Sequence, residues 1–373
     1  MKLIWIVAGE ASGDARSAEV MRAIHALDAD VEFVGAGGPK MRLLAAEPFD
    51  EWIAEAGVLG LWDVLKNYGY FKGKFDRMLA DIARLRPDVV LLVDYPGFNL
   101  RLAKALRARQ PKLKILFYVS PQVWAWNRGR IPKMAKWLDL MLCIFPFEKP
   151  LYEQSGLRTE FVGHPIVEQM ARDRVPVVRD PLLLGLFPGS REREVNRIFP
   201  AMVGAARRVA ESRPDVRFEA AAATEAHAEI MRAVAGDAPI EIRAGTAHEL
   251  MQRAGVGIVC SGTATLEAAC FGLPYALVYK TAWLTYEVGV RLVKVKHLGI
   301  VNILAGRTVV REFIQHAASP GALADEALRL LNDDGARRRL AEELAAVVAT
   351  LNGERAAERA ALAVLGEVRR VSA

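Results

Sequence analysis

Short apolar runs that favour strands alternate with helical patterns along the chain, and this alternation limits the possible folds more than any other feature. The runs are continuously apolar instead of alternating with polar residues, which is typical of strands covered on both faces. Strands of this kind separated by helices predict an α/β fold built on a doubly wound parallel sheet. The predicted strands are residues 3–8, 31–35, 89–94, 115–119, 140–144, 160–163, 182–187, 217–221, 240–243, 256–259 and 275–279.

Two such domains are expected from the length and from a break in the pattern. The chain has 373 residues, more than one hydrophobic core usually serves. Residues 173–181 are charged and contain two prolines, and the alternation of strands and helices restarts after them. We therefore predict two Rossmann-like domains facing a cleft, residues 1–170 and 171–344, with C-terminal helices. Helix 345–373 is expected to pack back on the first domain or to exchange between the two copies of a homodimer.

Cysteines, histidines and apolar runs limit the class of protein further. The three cysteines, Cys143, Cys260 and Cys270, lie among apolar or small residues without CxxC spacing, which predicts buried, reduced thiols. The six histidines show no paired spacing, so we expect neither a metal nor another cofactor. The apolar start of the chain is shorter than a signal sequence and reads as a strand, and no run approaches the length of a membrane span.

The charge balance indicates an acidic partner. The formal net charge of +6 suits nucleic acid, an anionic membrane face or a phosphorylated substrate. A clustered stripe of Arg and Lys with interleaved aromatic platforms is missing from the sequence, so nucleic acid is not the expected partner.

A Pro-Gly-Ser-Arg turn at residues 188–191 joins an apolar run to a helical pattern. Ser190 is the expected N-cap, and Glu192 and Glu194 fit the first helical turn. Free backbone N–H groups, the helix dipole and Arg191 would together attract an anion next to Gly189. The alternative is a well-capped helix with a solvated arginine.

A second junction of the same kind follows at residues 256–267. Gly262 allows close approach of a ligand to the backbone, and Ser261 and Thr263 supply hydroxyl groups. Glu267 lies one helical turn past Thr263, where a carboxylate suits a ribose diol. Two such junctions predict a diphosphate or nucleotide ligand, although neither is a Walker A loop or a GxGxxG fingerprint.

The first predicted domain offers candidates for a general base. Asp94 ends a buried strand and would point into the cleft, so it is the first choice, with a helix cap near Asn99 as the alternative. Glu10 and Asp14 are rival bases in the loop after the first strand, whose charge favours a hydroxyl acceptor over a pyrophosphate; a plain tight turn is the alternative. His164 is a further rival base, and we expect it instead to shape a bend at the domain junction.

Several motifs in the same order resemble those of the lipid-A-disaccharide synthases, a family of GT-B glycosyltransferases with two Rossmann-like domains. They cover nearly the whole chain, and the tryptophan-containing stretch is the most specific. The motifs are residues 8–14 (AGEASGD), 94–99 (DYPGFN), 119–126 (VSPQVWAW), 146–149 (PFEK), 162–165 (VGHP), 188–191 (PGSR), 261–264 (SGTA) and 302–307 (NILAGR).

The resemblance implies an inverting, metal-independent transfer of diacylglucosamine from UDP to the 6-hydroxyl of diacylglucosamine 1-phosphate. It implies an acceptor- and membrane-facing first domain and a UDP-sugar-binding second domain. Many relatives carry a second acidic residue where this chain has Gly97, so the catalytic role passes to Asp94 alone. Trp124 and Trp126 would share a side if extended and could line the acceptor site, with burial as the alternative; a surface salt bridge is the alternative for Arg307.

The expected site residues follow from the two junctions, the first loop and the resemblance together. They are Asp94 and Arg191 for catalysis; Gly189, Ser190, Arg191, Ser261, Gly262, Thr263, Glu267, Asn302 and Arg307 for UDP; and Glu10, Ser12, Gly13, Trp124 and Trp126 for the acceptor.

Residues 58–75 mix aromatic residues with lysines, a composition that suits lipid headgroups. An ordinary loop and helix packed on the first domain is the alternative, but acylated substrates favour a membrane-facing surface. We expect peripheral binding to the anionic inner face of the cytoplasmic membrane. The expected contacts are Leu61, Trp62, Tyr70, Phe71, Lys72 and Lys74.

Three other functions are compatible with parts of this pattern. A transferase that adds N-acetylglucosamine to a lipid-linked peptidoglycan precursor shares the nucleotide site, but the tryptophan motif argues against it. A UDP-sugar epimerase shares the architecture without needing a lipid-facing surface. A non-catalytic binder of anionic ligands such as RNA is supported by the positive charge alone.

Overall fold

Thirteen strands and seventeen α-helices make up the part of the chain that the computed structural model describes, residues 2–56, 68–282 and 296–372. The strands are β1 Lys2–Ala8, β2 Val31–Gly37, β3 Phe49–Glu51, β4 Val89–Val93, β5 Lys114–Tyr118, β6 Leu140–Cys143, β7 Thr159–Phe161, β8 Asp180–Phe187, β9 Arg217–Ala222, β10 Ile240–Ala244, β11 Ala254–Cys260, β12 Tyr275–Tyr279 and β13 Glu312–Ile314.

The helices alternate with these strands. They are α1 Ala11–Leu27, α2 Pro39–Arg42, α3 Ile53–Ala56, α4 Tyr68–Leu85, α5 Pro96–Arg109, α6 Val123–Trp126, α7 Ile131–Trp137, α8 Glu148–Glu153, α9 Pro165–Arg172, α10 Glu192–Ser212, α11 Glu225–Ala235, α12 Ala247–Arg253, α13 Thr263–Cys270, α14 Ile300–Ala305, α15 Pro320–Asn332, α16 Asp334–Thr350 and α17 Ala356–Ser372. Short 3-10 helices add Arg128–Arg130 and Gln315–Ala317.

The strands form two parallel sheets. Sheet 1 has seven strands in the order β3-β2-β1-β4-β5-β6-β7, and sheet 2 has six in the order β10-β9-β8-β11-β12-β13. In each sheet the chain starts near the middle, winds to one edge, and then crosses over to build the other half. The switch points are therefore the gaps between β1 and β4 in sheet 1 and between β8 and β11 in sheet 2. Ligands of doubly wound sheets bind at such points, beyond the carboxyl ends of the strands.

Continuous apolar sequence explains the central strands. β4 (VVLLV) is fully buried, and β11 (AGVGIVC) is buried at every position, as expected for parallel strands covered by helices on both faces. The sequence analysis missed the short strands β3 and β13, each of three residues and only partly buried. Both pair in parallel at the edge of a sheet, where they need little apolar sequence.

The chain forms two compact units. One contains residues Met1–Pro165 together with Gly353–Ala373, and the other contains Ile166–Asn352. Helix α17 belongs to the unit of sheet 1, where it packs on α1 and on the strands β4 and β5. Its inward face is apolar and fully buried at Ala360, Val364 and Val368. The last helix therefore completes the first core.

Candidate active site

A cavity of about 290 Å³ lies at the switch point of sheet 2. Its lining comes from the ends of β8, β9 and β11 and from the turns that follow β8 and β11. We call it the nucleotide cavity, defined by residues 189–191, 194, 221–223, 261–264 and 267 together with Phe187, Ala247, Met251 and Cys260. It brings together the two junctions that the sequence analysis singled out.

The turn after β8 starts helix α10 and faces this cavity. The helix begins at Glu192, so its N-cap is Arg191 and not Ser190, the N-cap expected from the sequence. The carboxylate of Glu194 accepts hydrogen bonds from the backbone N–H groups of Ser190 (3.2 Å) and Arg191 (3.3 Å). The expectation of free N–H groups at this turn is therefore corrected: an internal carboxylate occupies the place of an anion. Gly189 has a φ of +112°, and a Cβ there would lie 2.5 Å from Glu194.

Arg191 has the side chain best placed to meet a diphosphate at this turn. Its guanidinium is 82% exposed and lies 3.2 Å from Glu194. An exposed ion pair of this kind is weak and exchanges readily for another anion.

The turn after β11 leaves room for a ligand. Gly262 has a φ of +145°, a backbone conformation that residues with a side chain rarely adopt. The space beside its Cα is open, because a Cβ built there would have no atom within 4 Å. The hydroxyl-bearing residues Ser261 and Thr263 flank it and line the nucleotide cavity. Helix α13 begins at Thr263, so its N-terminus points toward the same space.

Glu267 lines the nucleotide cavity from the second turn of α13. Its carboxylate lies 3.6 Å from Nε2 of His248, a residue of α12, and the other ring nitrogen of His248 lies 3.0 Å from the carboxylate of Asp173. The contact with Glu267 and the charges of both carboxylates raise the pKa of His248, against the opposing effect of burial.

Asn302 is corrected from a predicted UDP contact to a structural residue. Its side chain is fully buried, and its Nδ2 donates to Val310 O (2.8 Å) and to the carboxylate of Glu312 (2.7 Å). Its Oδ1 accepts from the N–H groups of Val309 (2.8 Å) and Val310 (2.9 Å). All four hydrogen-bonding positions of the amide are therefore used by residues 309–312, in the loop that follows α14 and at the start of β13.

Arg307 follows α14 on the surface. Its guanidinium forms an exposed ion pair with Glu343 at 2.8 Å. This is the surface salt bridge that stood as the alternative, and Arg307 is not among the residues that line the nucleotide cavity.

Asp94 follows β4 at the switch point of sheet 1. It adopts a left-handed φ of +49°, and so does the next residue, Tyr95, with +47°. Left-handed backbone at a non-glycine residue is costly and is concentrated at functional sites. Asn99 holds this bend, because its Nδ2 donates to the carbonyl oxygens of Val93 (3.2 Å) and Asp94 (2.8 Å).

The side chain of Asp94 is accessible and lies near one cation. Its carboxylate accepts from the N–H of Tyr95 at 2.9 Å and lies 3.7 Å from the guanidinium of Arg16. Burial raises its pKa, while Arg16 opposes the rise. The N-cap of α5 is Tyr95, so the helix-cap alternative for Asp94 is not supported. A carboxylate with a raised pKa at a strained strand end fits a general base.

The loop after β1 contacts the Asp94 bend. A Cβ on Gly9 would lie 2.3 Å from the ring of Tyr95, so only glycine allows this close approach. Glu10 is exposed on this loop, and Ser12 is exposed in the first turn of α1. Gly13, next to Ser12 in the helix, is buried, and a Cβ there would lie 3.4 Å from Ala8. Burial and the charge of Glu10 raise the pKa of Tyr95, so Glu10 lies near the residue that follows Asp94.

Two rival bases have other tasks. The buried carboxylate of Asp14 accepts three backbone hydrogen bonds, from Gly38 (3.0 Å), Lys40 (3.1 Å) and Met41 (3.0 Å), and so anchors the start of α2. His164 is buried beside Phe145, and desolvation with the charge of Arg16 lowers its pKa to about 3.

Trp124 and Trp126 do not share a side. They lie in the single helical turn α6, where residues two apart point in different directions. Trp124 is buried and its Nε1–H donates to the carboxylate of Glu148 at 2.9 Å, whereas Trp126 is half exposed beneath the guanidinium of Arg130. The condition for a shared side, an extended segment, is therefore not met; Trp124 is buried, as the alternative had it, and Trp126 is the exposed one of the two.

In residues 2–56, 68–282 and 296–372, His, Cys, Asp and Glu side chains do not assemble into a group of three that could hold a metal ion. Cys143, Cys260 and Cys270 are buried free thiols, and burial raises the pKa of Cys260 and of Cys270 to about 12.

Comparison with known proteins assigns the chain to a family. The family model described as lipid-A-disaccharide synthetase matches residues 4–365. The chain belongs to this family. It is 40% identical to the lipid-A-disaccharide synthase of Trichlorobacter lovleyi over 98% of both chains. It is 38% identical to that of Nitrosococcus oceani, over 92% of this chain and 91% of the relative.

Solved structures share the fold. A putative UDP-N-acetylglucosamine 2-epimerase from Listeria monocytogenes has a TM-score of 0.66 at 15% identity, covering 99% of this chain and 97% of its own. MurG of Acinetobacter baumannii has a TM-score of 0.54 at 14% identity, covering 94% and 95%. The predicted α/β fold with two Rossmann-like units of the GT-B type is confirmed.

Membership in the lipid-A-disaccharide synthase family makes the chain a glycosyltransferase of lipid A biosynthesis, as the sequence motifs implied. Its substrates are a UDP-sugar and a lipid acceptor. Within the described ranges, every helix is too short or too polar to cross a bilayer.

The segment predicted to face a membrane is described from Tyr68 onward, and Leu61 and Trp62 lie outside the described residues. The predicted membrane contact of Phe71 is corrected, because its side chain packs against the core. Its ring lies edge-on to Trp52, with ring centroids 6.4 Å apart. Lys74 is paired with Asp50 at 2.6 Å, while Lys72 is exposed and lies 2.8 Å from Asp76. Tyr70 is partly buried beside Lys74, 5.4 Å from its ammonium to the ring centre.

Sequence reasoning missed Arg16, Glu194 as an internal anion, and His248. Arg16 lies in a helical stretch remote in sequence from Asp94, and its pairing depends on the sheet order. His248 had a signal in the sequence, because it follows a predicted strand by a few residues and so comes near a carboxyl edge.

Proposed function

We propose that this chain transfers 2,3-diacylglucosamine from UDP to the 6-hydroxyl of 2,3-diacylglucosamine 1-phosphate. The products are the lipid A disaccharide 1-phosphate and UDP. The family match over residues 4–365 carries this proposal. The positions of Asp94 and of the nucleotide cavity at the two switch points support it.

In the proposed step, the acceptor oxygen attacks the anomeric carbon as the bond to the diphosphate breaks. Asp94 takes the proton from the acceptor hydroxyl, and the bonding pair leaves with UDP, so that the anomeric centre inverts. The raised pKa of Asp94 helps its carboxylate accept that proton. Glu10 of the adjacent loop, with Ser12 and Gly13 of the first turn of α1, is proposed to orient the acceptor, and Trp126 to contact it.

On the donor side, we place UDP in the nucleotide cavity. Arg191 meets the diphosphate, and its charge stabilises the departing UDP. Ser190, Ser261 and Thr263 offer hydroxyl groups around Gly189 and Gly262, and Glu267 accepts from the ribose diol.

The acylated substrates also imply a lipid surface. We propose peripheral binding to the anionic inner face of the cytoplasmic membrane. Among the residues that the structure describes, Tyr70 and Lys72 are the proposed membrane contacts. Homodimer formation through the C-terminal helices belongs to the same proposal.

The test is incubation with UDP-diacylglucosamine and diacylglucosamine 1-phosphate, followed by detection of UDP and disaccharide. Asp94→Asn should lower kcat by about two to four orders of magnitude, because the base is lost. The matched control is Asp237→Asn, an aspartate with a fully exposed carboxylate, which should keep the wild-type rate.

Calorimetric titration with UDP separates the outcomes. The Asp94→Asn protein should bind UDP as the wild type does, because the nucleotide cavity belongs to the other unit. Failure of the wild type to form disaccharide, or turnover of soluble UDP-N-acetylglucosamine without acceptor, would overturn the proposal in favour of another UDP-sugar enzyme.

A further inference from the structure

His248 stands between two carboxylates that come from different parts of the chain. Its Nδ1 lies 3.0 Å from Asp173, in the segment after α9, and its Nε2 lies 3.6 Å from Glu267 of α13. Glu267 faces the nucleotide cavity, but His248 does not line it. The imidazole thus contacts the carboxylate of Glu267 without itself lining the nucleotide cavity.

The surroundings of His248 keep it in this place. Its ring packs against Phe271, with centroids 5.7 Å apart. Gln252, one turn later on α12, donates to the carbonyl oxygens of Asp173 and His248, both at 3.1 Å. The Oε1 of Gln252 accepts from the N–H of Val175 at 2.9 Å. The segment after α9 is thereby fastened to α12, and Asp173 is held on the imidazole.

The charges facing His248 favour its protonated form. Asp173 approaches from the segment after α9 and Glu267 from α13, and together they raise the pKa of the imidazole. On α12 itself, Glu249 is paired with Arg253 at 3.3 Å. The guanidinium of Arg174, next to Asp173, donates to the carbonyl oxygen of Cys270. The positive charge of Arg174 therefore lies at the C-terminal end of α13.

We propose that His248 is a positioning residue for the ribose of the nucleotide substrate. Its imidazolium holds the carboxylate of Glu267 in the orientation in which both oxygens can accept from a vicinal diol. This inference rests on the proposed function, because it concerns the nucleotide cavity. We therefore expect the ratio of the affinities for a ribonucleotide and a deoxyribonucleotide to depend on the charge at position 248.

The experiment compares UDP with 2′-deoxyuridine diphosphate by calorimetry, using the full chain. In the wild type at about pH 6, UDP should bind about tenfold or more tightly than the deoxy compound, because a hydrogen bond to a charged group is lost. His248→Gln removes the charge, and this ratio should fall toward one. His248→Arg keeps a permanent charge and should restore it.

The pH profile supplies a readout that a merely structural residue would not change. Because the pKa of His248 is raised, its charge persists beyond the ordinary range of histidine and is lost as the pH rises further. The wild-type ratio should therefore decline between about pH 6 and about pH 9, whereas the ratio of His248→Arg should stay constant. His227→Gln, at a partly buried histidine of α11 that does not line the nucleotide cavity, is the control and should follow the wild type.

A double-mutant cycle with Glu267→Gln completes the test. If His248 acts through Glu267, the second substitution should add little once the first is present. A wild-type ratio and pH profile in His248→Gln would overturn the inference while leaving the proposed function intact. If His248→Gln does not fold, a ratio for His248→Arg that still follows the wild-type pH profile would overturn it. Absence of UDP binding by the wild type would instead overturn both.

Discussion

At the scale of single residues, Arg191 is the side chain on which the donor half of the reaction depends most. Replacing it with alanine removes the charge that faces the departing diphosphate, so kcat should fall by about two to three orders of magnitude. Stability should hardly change, because the exposed pair with Glu194 contributes about 1 kcal/mol at most. Steady-state kinetics together with a thermal melt measures both effects.

The control for Arg191→Ala is Arg217→Ala. Arg217 is 73% exposed and is paired with Asp180, but it begins β9 at the amino edge of sheet 2, away from the nucleotide cavity. Its loss should leave kcat unchanged. Equal rates for the two variants would remove Arg191 from the mechanism.

The predicted site residues whose positions the sequence could give are those at strand ends. Asp94 and the turns at Gly189 and Gly262 follow apolar runs directly, and the carboxyl ends of parallel strands are a fixed edge of the sheet. Asn302 could not be assigned in this way. A polar residue in a loop motif serves the loop or the ligand equally well until its hydrogen bonds are known.

At the scale of elements, α17 shows how a segment far along the chain completes an earlier core. Leu365 on its inward face is 2% exposed, whereas Leu362 on its outward face is 52% exposed. Leu365→Ala should cost about 2–5 kcal/mol in the free energy of unfolding, because it leaves a cavity. Denaturant unfolding of Leu365→Ala and Leu362→Ala measures the difference, and similar costs for both would mean that α17 does not pack as described.

Elements were predictable where one physical signal dominates. The central strands are long, apolar and buried, so their pattern identified them. The edge strands β3 and β13 escaped because three half-buried residues give almost no pattern. Helix α6 was not assigned from the sequence, because one turn of helix carries too few residues to show a helical period. Within this turn, Trp124 is anchored by a buried hydrogen bond to Glu148, a contact that the sequence pattern does not reveal.

At the scale of the whole molecule, the two units differ in how the chain builds them. The unit of sheet 2 is one continuous stretch, Ile166–Asn352, and it contains all six strands of its sheet. The unit of sheet 1 needs both ends of the chain, because residues Gly353–Ala373 supply α17. Every residue that lines the nucleotide cavity belongs to the continuous stretch.

We therefore expect a fragment of residues 166–352 to fold alone and to bind UDP within about tenfold of the full chain, a difference of about 1.4 kcal/mol. It should catalyse no transfer, because it lacks Asp94. A fragment of residues 1–165 is the comparison: without α17 it exposes the apolar surface that Ala360, Val364 and Val368 cover, so it should unfold at lower denaturant or aggregate. Circular dichroism and calorimetry decide, and a folded fragment 166–352 that does not bind UDP would show that the nucleotide cavity depends on the other unit.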